Sequence, residues 1–228
     1  MGDGRKRSPA RESGHVDVGA GIAGTLVGLA VSPLADRLAT NAPIGAPLLA
    51  RVPFSPRLPL VAVACSALAA ACGLAFGFTL EAVIGALFCW ALVVITRTDF
   101  EHRLIPDRIV LPGALVVLVL RTFDEPSLAW LLGGLGAGLA LFLLVLAYPK
   151  GMGMGDVKLA LLLGAGLGLG VIVALFIGFL TAVVPAIALL VRYGRAARKQ
   201  AIPLGPFLAL GGVVAFFGGD AILDWYWR

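Results

Sequence analysis

The residues in this chain best suited to chemistry are two aspartates. Asp99 stands in Thr98-Asp99-Phe100-Glu101-His102-Arg103-Leu104-Ile105-Pro106-Asp107, and Asp156 in Gly151-Met152-Gly153-Met154-Gly155-Asp156-Val157-Lys158. Each lies at the edge of a long apolar segment, where an ionisable side chain costs free energy unless it is solvated, paired or used. Two neighbouring carboxylates do not readily ionise together, so one keeps a proton while the other is an anion, and the pair titrates as a unit. Such a pair can hydrolyse an amide. The anion takes a proton from the attacking water, while the acid hydrogen-bonds the carbonyl oxygen and later protonates the leaving nitrogen. This chemistry calls for no metal and no cofactor.

Competing hydrolytic schemes lack parts. The two histidines are His15, in a polar tail, and His102, so a His-x-x-x-His zinc helix cannot be assembled and no metal ligand is assigned. A Ser-His-Asp triad would have to use His102, and no Gly-x-Ser-x-Gly elbow is present. Cys65, Cys72 and Cys89 fall inside apolar segments without Cys-x-x-Cys spacing, which reads as buried small hydrophobes.

Positioning the aspartates falls to membrane helices. With 60% hydrophobic and 14% charged residues and a mean hydropathy of +0.98, the chain is too apolar for a soluble domain of its length. Apolar runs of about 20 residues, the length that crosses a bilayer, predict helices at 16–36, 58–78, 80–97, 107–122, 127–148, 156–170, 171–192 and 205–224. The expected architecture is an all-α, polytopic bundle of about eight transmembrane helices. It has a polar tail over 1–15, one membrane-embedded domain over 16–228 and a short cytoplasmic loop at about 37–57. Gly164, Gly166, Gly168 and Gly170 favour a break over one overlong helix. Arg5, Lys6, Arg7 and Arg11 look like the basic region of a signal peptide, but no small-x-small cleavage site follows, so an uncleaved first span is expected.

The formal charge of +5 resides in short loops rather than on a basic, aromatic-interleaved surface, which argues for topology signals and against nucleic acid as a partner. With the N-terminus outside, inner loops hold Arg37, Arg51, Arg57, Arg97, Arg103, Arg108, Lys150, Lys158, Arg192, Arg195, Arg198 and Lys199. The outer side keeps Arg121 and the C-terminal Arg228, and the basic tail is the one contradiction. Trp225, Tyr226 and Trp227 then cap the last span at the outer interface. Two spans separate Asp99 from Asp156, so both are expected on one face, the cytoplasmic one, at a water-accessible rim. Pro106 marks a helix boundary there, and Gly151, Gly153 and Gly155 permit close backbone approach.

Each residue also has a plainer reading. Asp99 could pair with Arg97 or Arg103, and Asp156 could cap the helix that follows. Asp107 reads as an N-cap, and Lys158 either stabilises an ionised Asp156 or reaches for the interface. Glu101 reads as solvated, and Arg195, Arg198 and Lys199 as topology determinants that meet anionic lipids. Gly133, Gly134, Gly136 and Gly138 are expected to let helices pack closely.

The motifs together resemble the type IV prepilin peptidases, membrane aspartic proteases that carry a Gly-x-Gly-Asp motif. Asp99 followed eight positions later by Pro106-Asp107 is similar to the family's first motif, and Gly153-Met154-Gly155-Asp156-Val157-Lys158-Leu159 to its second. Ile202-Pro203-Leu204-Gly205-Pro206-Phe207-Leu208-Ala209-Leu210-Gly211 is similar to the segment that opens its last span. The resemblance implies that Asp99 and Asp156 are the catalytic pair, supported by Gly153, Gly155, Lys158, Pro106 and Asp107. The implied partners are prepilin or pseudopilin-like precursors, whose short basic leaders are cut at the cytoplasmic face of the inner membrane, and the lipid bilayer. The loop at 37–57 holds none of the Cys-x-x-Cys pairs that larger bacterial members carry there, so it leaves their N-methyltransferase activity without its usual segment. Two rival readings are a proton-coupled transporter and a non-catalytic assembly factor of a pilus or secretion apparatus. The transporter calls for mid-span carboxylates or an internal repeat, and the sequence shows neither.

Overall fold

A computed structural model of the chain describes residues 17–41, 56–149, 152–194 and 202–226. The polar tail, most of the 37–57 loop with Arg51, and Lys150 and Gly151 lie outside those residues. So do Arg195, Arg198, Lys199, Trp227 and Arg228. The described residues form eight α-helices: α1 (Val18–Asn41), α2 (Leu58–Phe76), α3 (Leu80–His102), α4 (Asp107–Asp124), α5 (Leu128–Ala147), α6 (Met154–Leu167), α7 (Val171–Tyr193) and α8 (Gly205–Tyr226). Stretches in α1, α2, α3, α5 and the run Met154–Tyr193 are long and apolar enough to cross a membrane. The protein is a multi-pass helical membrane protein.

Local chemistry sets the helix ends. Asp17 Oδ1 accepts from the N–H of Ala20 at the start of α1, and Thr79 and Ser127 open α3 and α5 by accepting from Ala82 and Ala129. These are the side chains that satisfy the orphan donors of a first turn. The predicted break after α6 falls at the 3₁₀ turn Gly168–Gly170. Gly168 takes a φ of +55°, and a Cβ there would lie 3.1 Å from the Trp130 ring, so both backbone conformation and space call for glycine. α6 has only 14 residues, about 21 Å at the usual helical rise.

Between lipid-soluble segments no water-driven collapse operates, so cohesion depends on close packing and on polar contacts. Glycines supply the packing. A Cβ on Gly24 would lie 2.3 Å from Ala69 O, which shows how closely α1 and α2 approach, and one on Gly164 would lie 2.3 Å from Gly133 O at the α5–α6 crossing. Gly133, Gly134 and Gly138 all face α6 or the turn after it, whereas Gly136 points into open space, contrary to the expectation for that position. The main core joins α3, α6 and α8 through Phe88, Leu92, Ile95, Leu159, Leu162, Leu163 and Leu208, all essentially inaccessible. A second cluster, including Ala35, Val61, Cys65, Val94 and Ile109, seats α1 and α2 against α3 and α4. Outward-facing positions such as Leu60, Val184 and Leu132 are as apolar as the interior, as a bilayer-facing surface requires.

The predicted map changes at four points, two of them through polar contacts. α1 runs on to Asn41, into the predicted 37–57 loop. α3 runs a full turn past residue 97, because Arg97 is buried inside it and paired with Asp36 of α1. Arg121, expected in an outer loop, is buried at the end of α4. There its Nε donates to Gly166 O at 3.1 Å, and its guanidinium lies 4.7 Å from the Trp130 ring centre. α6 begins at Met154, two residues before the predicted start.

Candidate active site

Asp99 occupies the last turn of α3, which ends when Arg103 adopts the left-handed conformation and returns its N–H to Asp99 O at 2.8 Å. The Asp99 side chain turns inward and is 6% exposed. Its Oδ2 accepts a hydrogen bond from the N–H of Gly205, the first residue of α8, at 2.9 Å.

Asp156 occupies the first turn of α6 and is 9% exposed. Its Oδ2 accepts from the N–H of Gly153 at 3.2 Å, which satisfies a donor at that helix start. Neither carboxylate makes another side-chain hydrogen bond among the described residues. Asp99 closes α3 and Asp156 opens α6, and Gly155 beside Asp156 packs on Ile105 of the link that follows α3. Asp99 and Asp156 thus share one end of the bundle, each with one oxygen anchored by a glycine N–H.

The surrounding elements fix this meeting point. Pro106 is the residue from which α4 starts, and Asp107 is the first residue inside that helix rather than its cap. Asp107 Oδ1 accepts from Lys158 Nζ at 2.6 Å, tying the first turn of α4 to the first turn of α6. Lys158 therefore serves Asp107, which is neither of the two readings open to it from the sequence, an ionised Asp156 or the interface. Gly155 packs on the link between α3 and α4, where a Cβ would lie 2.9 Å from Ile105. Gly153 has room for a side chain; what it contributes is its N–H. On the far face of α3, Arg97 bridges Asp36 and Glu101, and Glu101 accepts from Arg57 at 2.7 Å. Glu101 is therefore partnered, and Arg97 is unavailable to Asp99.

One further expectation for the site needs revision. The aspartates are buried rather than displayed at a rim, Asp99 against the start of α8 and Asp156 within the first turn of α6. Gly205 joins the site as well, and the only sequence signal for it is the motif-like segment Ile202–Gly211 that contains it. Among the described residues no three of His, Cys, Asp and Glu gather where they could share a metal ion.

Comparison with known proteins now bears on this geometry. Residues 86–188, which include both aspartates, match the model of the type IV leader peptidase family. A Legionella pneumophila protein named prepilin leader peptidase/N-methyltransferase is 34% identical over 76% of this chain and 63% of its own length. One of the same name from Stutzerimonas stutzeri is 32% identical over 76% of this chain and 62% of its own. Its namesake in Bacillus subtilis is 34% identical over 74% of this chain and 68% of its own. The chain belongs to the type IV leader peptidase family. It spans a little under two thirds of the Legionella and Stutzerimonas relatives. No solved structure matches it. Gly205 falls outside the stretch that matches the leader peptidase model, so the site reaches past that stretch to the last helix.

Proposed function

We propose that this leader peptidase family member is an aspartic endopeptidase that removes short basic leaders from prepilin-like precursors, with Asp99 and Asp156 as its acid–base pair. The observation that carries the reading is the burial of the two carboxylates at the same end of an apolar bundle, each held through one oxygen. A substrate whose apolar helix lies in the bilayer presents the bond preceding that helix at this level. The ionised aspartate takes a proton as water adds to the carbonyl carbon, and the protonated partner gives its proton to the carbonyl oxygen. The C–N bond then breaks as the nitrogen is protonated, yielding a leader carboxylate and a new amino terminus.

The site faces the cytoplasm across the inner membrane. Arg57, Arg103, Arg108 and Lys158 gather at the site end, while Arg121 at the opposite end is buried, the asymmetry that places basic ends inside. Methyl transfer, the other half of the relatives' name, is not assigned, because the 37–57 stretch holds no cysteine. The test is cleavage of a basic-leader precursor in membranes that contain wild-type, Asp99→Asn or Asp156→Asn protein, each with and without a chelator. Chelator-resistant cleavage, lost in both variants, supports the proposal. Undiminished cleavage in either variant ends it.

A further inference from the structure

The start of α8 is an unusual helix terminus. A helix leaves its first N–H groups without internal partners, and a side chain normally caps them. Here the preceding residue, Leu204, has no polar side chain. Pro206 carries no N–H, so one orphan donor is absent from the outset. The N–H of Phe207 turns back to Leu204 O at 3.1 Å. That leaves Gly205, whose N–H crosses to Asp99, 106 residues earlier in the chain. The fit is tight as well as polar. A Cβ on Gly205 would lie 2.7 Å from Asp99 Oδ2, 3.1 Å from its Cγ and 3.2 Å from its Cβ. The helix behind it cannot easily retreat, because Gly211 of α8 is pressed against Ala174 O of α7, and Gly178 of α7 against Phe207 O of α8.

We propose that Gly205 is a positioning residue of the peptidase site. Its N–H holds Oδ2 of Asp99 at the start of α8, its missing side chain admits the carboxylate, and Asp99 in return caps α8. This gives the Pro203-Leu204-Gly205-Pro206 segment a role in the reaction, and it rests on the reading of Asp99 as one of the catalytic pair. The same contact also makes Asp99 a structural residue, which separates two substitutions that otherwise look alike. Asn keeps an oxygen that can accept from Gly205, and Ala does not.

The test uses the purified full chain in lipid vesicles, with cleavage kinetics and thermal unfolding measured on the same samples. Gly205→Ala is expected to lower kcat by about a hundredfold, as a small misplacement of a reacting group does, while KM stays within about threefold. Gly136→Ala, which enters open space on α5, is expected to match the wild type. In unfolding, Asp99→Ala should melt below Asp99→Asn, and that difference should vanish in the Gly205→Ala background. Wild-type kcat in Gly205→Ala, or identical melting of the two Asp99 variants, overturns the proposal. If Gly205→Ala does not fold, the melting difference between the Asp99 variants decides alone. Failure of the peptidase reading shows differently, as wild-type protein that cleaves no precursor.

Discussion

Both aspartates are anchored by backbone donors, which do not rotate away as a side-chain partner can. Replacing either by Asn removes the acid–base function while keeping shape, and turnover is expected to fall by about 10²–10⁴-fold, as measured by precursor cleavage. The Lys158–Asp107 pair is partly exposed, and pairs of that kind contribute under about 1 kcal/mol. Asp107→Ala is therefore expected to shift thermal unfolding slightly and to slow cleavage far less than either aspartate variant. At this scale the sequence disclosed the two carboxylates, because the motifs around them are local. It could not disclose that Lys158 bonds Asp107 or that Gly205 bonds Asp99, since those partners are 51 and 106 residues apart and meet only once helices pack.

At the scale of helices, the α5–α6 crossing is the most constrained contact. Gly164 faces the backbone of Gly133, with no flexible side chain able to yield, so Gly164→Leu should cost about 3 kcal/mol, the upper end of ordinary overpacking, or more. Gly136→Leu should cost nearly nothing, and unfolding in detergent compares the two. Helix positions were legible from apolar run length, and α2, α4 and α5 lie close to their predicted spans. The end of α3 was not, because Arg97, Asp99 and Glu101 interrupt the apolar run and imitate a loop. What keeps that turn helical is the buried Arg97–Asp36 pair. Arg97 keeps Glu101 as a second partner, so Asp36→Ala and Arg97→Ala should each lose less than the about 3–5 kcal/mol of a buried charge left wholly unpaired, and the double variant less than their sum.

For the whole molecule, the orientation proposed above is open to direct chemical mapping. Leu104, near the aspartates, and Phe123, at the opposite end, are both exposed, whereas Cys65, Cys72 and Cys89 are buried, so native thiols give little background. In sealed inside-out vesicles an impermeant maleimide should label Leu104→Cys and spare Phe123→Cys; the reverse pattern would place the site outside.

The turn at Gly168 bears on how the chain enters the membrane in the first place. Met154–Tyr193 is a 40-residue apolar stretch, about twice what one crossing uses, while α6 alone is shorter than a crossing. The two helices must therefore insert as a hairpin, folded back at Gly168, where the positive φ suits glycine. Were that bend lost, the stretch would run straight on and α8 would start on the opposite side of the bilayer from Asp99. The handedness of one backbone angle thus decides, during biogenesis, which compartment receives the start of the last helix.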